Sequence, residues 1–240
     1  MPVTPLFDLH THTVASGHAY GTLRDNISVA KERGLLAMGT SDHSPGMEGT
    51  TDDAFFQNYR VIPDYIDGVR ILKGMEANVI DFDGTVDGGQ VMEKLDYVIA
   101  SLHSHCIKAG SVEDNTRALM GAMKNPQVKI IGHPDDGRYP LDYDRLVPAA
   151  VRYGVALEIN NSSLRASSSR KDGVRLVKIL AEKARQYGAY VVMGSDAHIW
   201  LDVGRMDEAE KVLREADFPE ERVLNYSMEG LRFLLRKRTV

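Results

Sequence analysis

Apolar and polar positions along this chain fall into a repeating pair: a short run rich in Val, Ile and Leu, then a longer stretch of helical period. Short apolar runs bounded by turn residues are strands, and strands that alternate with helices build a parallel sheet covered by its own crossovers. The runs predict seven strands, at about Leu6 to His10, Leu36 to Ser41, Arg70 to Met75, Tyr97 to Leu102, Val128 to Gly132, Val155 to Asn160 and Ala189 to Gly194. Helices are predicted over Leu23 to Arg33, Val112 to Asn125, Tyr143 to Tyr153 and Asp172 to Tyr187. Thr22 and Asp25 can form a capping box at the first of them, the other three carry conventional caps, and Gly34, Gly154 and Gly188 supply stops. The basic tail Arg232 to Arg238 reads as a last helical turn complementing its own dipole.

The pattern continues without an internal repeat or a linker; the serine-rich stretch Ser162 to Ser169 separates a strand from a helix and is a loop. A chain of 240 residues is the size of one α/β barrel, so a single domain over 1–240 is expected. The 43% apolar and 26% charged composition is that of an ordinary globular protein, which excludes disordered and fibrous classes. A net charge of -5 offers no overall positive field to a polyanion, which disfavours nucleic acid as a partner. One cysteine, Cys106, cannot pair within the chain, and Met1-Pro2-Val3-Thr4-Pro5 lacks a leader pattern, so a cytoplasmic protein is expected. No apolar run approaches the roughly 18 residues of a membrane span. Association into a homo-oligomer stays open.

The chemistry emerges when the histidines are placed on this map. Six of the eight fall at or just past a strand's C-terminal end: His10 and His12, His43, His103, His133 and His198. Glu76 ends the third strand, and Asp196 stands two residues before His198. In a β/α barrel those ends converge on one face, so the groups should meet. Neutral imidazoles buried beside carboxylates need compensation, and metal ions are the economical source of it. His10 with His12, and Asp196 with His198, project to one side at a spacing of two and can share an ion across the two ends of the chain. Imidazole with carboxylate and no thiolate suits zinc, iron or manganese. So many ligands imply at least two ions, with Glu76 as the natural bridge.

These residues resemble the PHP (polymerase and histidinol phosphatase) superfamily, and within it the small stand-alone bacterial phosphatases. The resemblance rests on Asp8-Leu9-His10-Thr11-His12-Thr13, Gly17-His18-Ala19, Ser41-Asp42-His43, Gly74-Met75-Glu76, Ser101-Leu102-His103, Gly132-His133-Pro134 and Gly194-Ser195-Asp196-Ala197-His198. Leu157-Glu158-Ile159-Asn160-Asn161-Ser162-Ser163 suggests the stand-alone branch. The resemblance implies a distorted seven-stranded (β/α)7 barrel, TIM-like, holding three divalent ions, with zinc first and iron or manganese as alternatives. It implies that His10, His12, Glu76 and Asp196 hold one ion, Glu76, His103 and His133 a second, and His18, His43 and His198 the third. His105 is left over, an exposed loop residue or a proton donor beside the site.

A cluster of this kind hydrolyses phosphate esters, so a phosphatase using a metal-bridging hydroxide on a small phosphorylated metabolite is expected. Asp42 is a candidate to orient a ligand ring or to cap the next turn. Arg170 and Lys171 are candidate phosphate binders, with Arg165 and Arg138 behind them. Two rivals remain. An amidohydrolase of C–N bonds also opens with His-x-His, but it often carries a bridging lysine where this chain has Ser101-Leu102-His103. A noncatalytic or nuclease module of a polymerase is disfavoured by the negative charge. Histidinol phosphate is one candidate substrate within the family, and nothing in the sequence singles out its imidazole.

Overall fold

The computed structural model describes residues 4–238; the first three residues of the N-terminal reading and the two at the other end of the expected 1–240 domain lie outside them. The strands are β1 (Phe7–Asp8), β2 (Ala37–Thr40), β3 (Tyr65–Ile66), β4 (Val69–Asn78), β5 (Tyr97–Ser101), β6 (Val128–Ile131), β7 (Ala156–Asn160) and β8 (Val191–Gly194). The helices are α1 (Leu23–Glu32), α2 (Asp53–Gln57), α3 (Val112–Ala122), α4 (Tyr143–Tyr153), α5 (Gly173–Tyr187), α6 (Asp207–Glu215) and α7 (Met228–Leu235). Seven strands run parallel in the order β1-β2-β4-β5-β6-β7-β8, a nearly closed (β/α)7 barrel. The short β3 was not predicted; it pairs antiparallel with the start of β4, outside the barrel path.

The two edges of the sheet, β1 and β8, are joined without a full ladder. Below the rim, Asn225 fills the gap: its Nδ2 donates to the carbonyls of Phe7 and Met193, both at 2.9 Å, and its Oδ1 accepts from Met193 N at 2.7 Å. At the rim, Thr11 and Ala197 form a parallel bridge, with His12 N donating to Ala197 O at 2.9 Å. Closure therefore draws His10 and His12 against Asp196 and His198.

Strand alternation carries the site. On β4, β5, β7 and β8 one face begins with Leu72, Tyr97, Ala156 and Val192, which pack with Phe7, Leu9 and Ile130 as an apolar plug. The same face continues two and four residues later into Glu76, Ser101, Glu158, Asn160 and, past β8, Asp196, all buried. The opposite face, with Val98, Ala100, Leu157 and Ile159, packs in the layer beneath the helices. Gly39 and Gly74 make room for the plug, since a Cβ on either would stand 1.9 and 2.2 Å from Tyr97. Leu231 and Leu234 of α7 pack against the plug.

Several expectations need correction. Glu76 does not end its strand: β4 runs on to Asn78, which pairs with Ser101. The helix expected to Asn125 stops at Ala122. Asp172 does not cap α5 with its side chain; it sits at φ 60° and its carboxylate holds Arg175. The basic tail serves its own helix only in part: Arg236 donates to Phe233 O of α7, whereas Arg238 donates to Tyr153 O at 2.7 Å and Met123 O at 3.0 Å, the C-terminal carbonyls of α4 and α3. Those ends carry unpaired acceptors and negative dipoles, which a guanidinium satisfies.

Candidate metal centre

Seven of the eight histidines, with Glu76 and Asp196, meet at the C-terminal face of the barrel. Glu76 is the hub. Its Oε2 lies 3.3 Å from His10 Nε2, 3.5 Å from His12 Nε2 and 2.9 Å from His43 Nδ1. Its Oε1 lies 2.8 Å from His133 Nε2 and 3.2 Å from His103 Nε2. Asp196 Oδ1 stands 3.3 Å from both His12 Nε2 and His198 Nδ1 and 3.6 Å from His10 Nε2. His18 reaches the group from its own loop, with its Nε2 3.0 Å from His198 Nε2. His105 does not join; it is exposed at the mouth of the cleft.

A layer behind the rings turns their free nitrogens inward. Glu158, on β7, accepts from His10 Nδ1 at 2.6 Å, so Nε2 is the His10 nitrogen turned to the hub. Ser16 Oγ donates to Asp42 at 2.6 Å, which leaves its lone pairs to accept from His12 Nδ1 at 3.0 Å and His43 N at 3.2 Å. Asp42 thus orients His12 through Ser16 rather than its neighbour His43. It also accepts from Thr13 N at 2.7 Å, which holds the loop after β1. Asn78 Oδ1 accepts from His103 Nδ1 at 2.7 Å, and its amide is set by donating to Ser44 Oγ and Asp87 Oδ2, both at 2.8 Å. Such outer partners fix tautomer and ring direction at metal sites.

The donor set fits divalent ions. His10 Nε2, His12 Nε2, His43 Nδ1 and Glu76 Oε2 are buried with no hydrogen-bond partner, which is costly unless something else occupies the space between them. The separations of 3.3–3.6 Å among His10, His12, Glu76 and Asp196 match the roughly 3.3 Å between ligands on a tetrahedral ion with bonds of about 2.0–2.1 Å. Four overlapping triads of ligand atoms come within 4.8 Å: His12, His43, His198; His10, His12, Glu76; His10, His133, Asp196; and His43, Glu76, His103. The field points the same way. Burial pushes the His12 ring down, helped by His198 and His43, and pushes His103 down to about 4, so both rings are neutral at pH 7. Burial opposes charge on His10 too, yet Glu158, Glu76 and Asp196 outweigh it and raise that ring well above its usual range. Positive charge is favoured at the centre of the cluster.

Two of the five non-glycine residues with positive φ among the described residues lie here. His133 at φ 29° and Asp196 at φ 51° occupy the left-handed region, a cost of about 1–3 kcal/mol each that persists only where the surroundings enforce it. Glu158 Oε2 accepts from His133 N at 2.7 Å, and Asp196 Oδ2 is gripped by Arg170 Nη2 at 2.7 Å and Asn160 Nδ2 at 3.3 Å.

The cluster forms the floor of a cleft of about 650 Å³. Arg170 lines it, but its guanidinium is held by Asp196, by Asn160 Oδ1 and by Ser163 Oγ. Lys171 is exposed and does not line the cleft; its backbone bonds Gly137 and Asp136. Arg138 and Arg165 line the walls, paired with Asp136 and Asp202. Sequence reasoning missed Glu158, Asn78 and Ser16 as partners of the rings. A signal for Glu158 was present: a carboxylate in the middle of the apolar run Val155 to Asn160 has no reason to be buried unless something there binds it.

Comparison with known proteins agrees with the geometry. The family profile for the PHP domain matches residues 8–162. A "probable phosphatase" of Caldanaerobacter subterraneus subsp. tengcongensis is 45% identical over 99% of this chain and 94% of its own. Another, of Clostridium acetobutylicum, is 42% identical over 92% of this chain and 90% of its own. Among solved structures, the histidinol phosphate phosphatase of Lactococcus lactis, complexed with zinc, L-histidinol and phosphate, covers 90% of this chain and 95% of its own at a TM-score of 0.63 and 19% identity, a likeness of fold. The profile over most of the chain, and relatives matched nearly end to end, establish that this protein belongs to the PHP-domain family and is a metal-dependent phosphatase of that family.

Proposed function

We propose that the protein is a phosphomonoesterase with three divalent ions, zinc first, acting on a small phosphorylated metabolite. The observation that carries this reading is the arrangement around Glu76, whose two oxygens face five imidazole nitrogens, three of them buried without a hydrogen bond among the described residues. His10, His12, Glu76 and Asp196 would hold one ion, Glu76, His103 and His133 a second, and His18, His43 and His198 the third. When bound, divalent ions here supply Lewis acidity to phosphoryl oxygens and acidify water toward a pKa of about 7 for in-line attack.

The chain's own groups prepare that chemistry. Glu158, Ser16 and Asn78 engage Nδ1 of His10, His12 and His103 and turn the Nε2 of each toward the hub. The apolar plug below closes the barrel, so substrate and water enter only from the cleft. Arg170 sits beside Asp196 and presents its charge at the cleft floor, where a phosphoryl oxygen can share it. Alanine at Arg170 is expected to lower kcat/KM for p-nitrophenyl phosphate by about 10–100-fold, through Asp196 as well as through phosphate binding. Unchanged kcat and KM would remove Arg170 from the site.

The test of the whole reading is elemental analysis of protein purified without chelator, paired with p-nitrophenyl phosphate hydrolysis before and after chelation. About three ions per chain, and activity lost with the metal and restored by zinc or manganese, are expected. One ion or none, with no activity after metal is added back, would overturn it.

A further inference from the structure

The cleft above the metal floor is much larger than a phosphoryl group: about 650 Å³ is the scale of a site that encloses a whole small metabolite. Its walls say what the rest of that molecule is. Among the described residues no Phe, Tyr or Trp lines the cleft, and only Met47 and Leu102 there are apolar. His105 is the one imidazole there free of the cluster, and it is exposed, so no slot for a planar ring is present. Stacking contributes about 1–3 kcal/mol per base at sites that bind nucleotides, and this cleft has no platform for it.

Guanidinium groups are present instead. Arg138 comes from the loop after β6 and Arg165 from the serine-rich loop after β7. Each is anchored from behind by a carboxylate less exposed than itself. Arg138 is 41% exposed against 5% for Asp136, and Arg165 is 26% exposed against 15% for Asp202. Asp136 and Asp202 line the cleft too, as does the exposed Glu48, but within each pair the guanidinium is the more exposed partner. Arg138 also keeps a donor in reserve, since its Nη1 makes only a 3.4 Å contact with Ser104, whereas Arg165 Nη2 is buried. A fork held on one edge and unfilled on another suits a planar oxyanion, carboxylate or phosphate. Hydroxyls of Ser104, Ser162 and Ser167 to Ser169 line the same walls.

Resting on the phosphatase reading above, we infer that the substrate is an aliphatic phosphate ester carrying a second anionic group, a second phosphate or a carboxylate, read by Arg138 and Arg165. Nucleotides are poor substrates by the same argument. The test is kcat/KM on substrate pairs that differ at one group: 3-phosphoglycerate against glycerol 3-phosphate, and fructose 1,6-bisphosphate against fructose 1-phosphate, with AMP and histidinol phosphate alongside. The doubly anionic member of at least one pair is expected to win by about tenfold or more, the scale of one good guanidinium contact. Arg138→Gln and Arg165→Gln, singly and together, are expected to bring that ratio close to one, with melting curves confirming folded protein. Equal rates within both pairs in the wild-type enzyme, preference for AMP or histidinol phosphate, or a ratio that survives the double substitution would each overturn the inference while leaving the phosphatase reading standing. Failure to hydrolyse any phosphate ester after metal is restored would instead count against that reading itself.

Discussion

Replacing Glu76 with glutamine is expected to lower kcat/KM for p-nitrophenyl phosphate by roughly a thousandfold, equivalent to about 4 kcal/mol of transition-state stabilisation. The amide has the same shape but no charge. Both carboxylate oxygens face imidazole nitrogens at 2.8–3.5 Å, and burial that would raise its pKa is outweighed by His10, His103 and His43, which hold it well below the usual range. Removing that charge leaves Asp196 as the remaining carboxylate among the proposed ligands. Metal content should fall with activity, to about one ion per chain, because the two positions that share Glu76 fail together. The readouts are elemental analysis and steady-state kinetics on the same preparation. A full complement of metal, with activity within tenfold of wild type, would show that Glu76 does not bridge ions.

The second large effect is expected at Glu158, which touches no substrate. Its oxygens receive three donors: His10 Nδ1 at 2.6 Å, His133 N at 2.7 Å and Asn160 Nδ2 at 3.0 Å. Glutamine there must turn an NH2 group toward one of these donors, leaving an unpaired buried pair at a cost of about 1–3 kcal/mol. It also frees His10 to rotate or to change tautomer, and relaxes the strained backbone of His133. Glu158→Gln should therefore weaken metal affinity by about 10–100-fold, with kcat/KM following. Competition with a chelator, followed by metal release, separates this from a general loss of stability, which would lower the melting temperature but leave affinity in the folded fraction intact. Gly194→Ala reports on the same contact from the other side, since its Cβ would stand 2.0 Å from Glu158 Oε1 and 3.0 Å from His10 Cβ.

Much of this is legible in the sequence. The seven parallel strands follow from apolar runs whose type depends on local pattern, and the capping box at Thr22 with Asp25 forms because both partners lie within one turn. The clustering of His10, His12, His43, His103, His133 and His198 could be anticipated because barrel strands deliver their C-terminal ends to one face. Local spacing could not place Arg238, whose partners Met123 and Tyr153 belong to helices far away in the chain, nor Lys171, whose position depends on how the loop before α5 folds onto Asp136.

The division has a physical cause. Residue type, strand alternation and turn chemistry are properties of short segments, and they determined the barrel class, the ring of ligand types and the inward face of each strand. Which nitrogen of each ring points inward depends on the hydrogen-bond partner of the other, and those partners lie on different strands: Glu158 behind His10, Asn78 behind His103, and Asp42 acting through Ser16 behind His12. Likewise, only closure of β1 against β8, through Asn225 and the Thr11–Ala197 bridge, brings His12 to within 3.3 Å of Asp196. Contacts across that distance in sequence are fixed by packing the whole barrel, so the tertiary structure alone decided them.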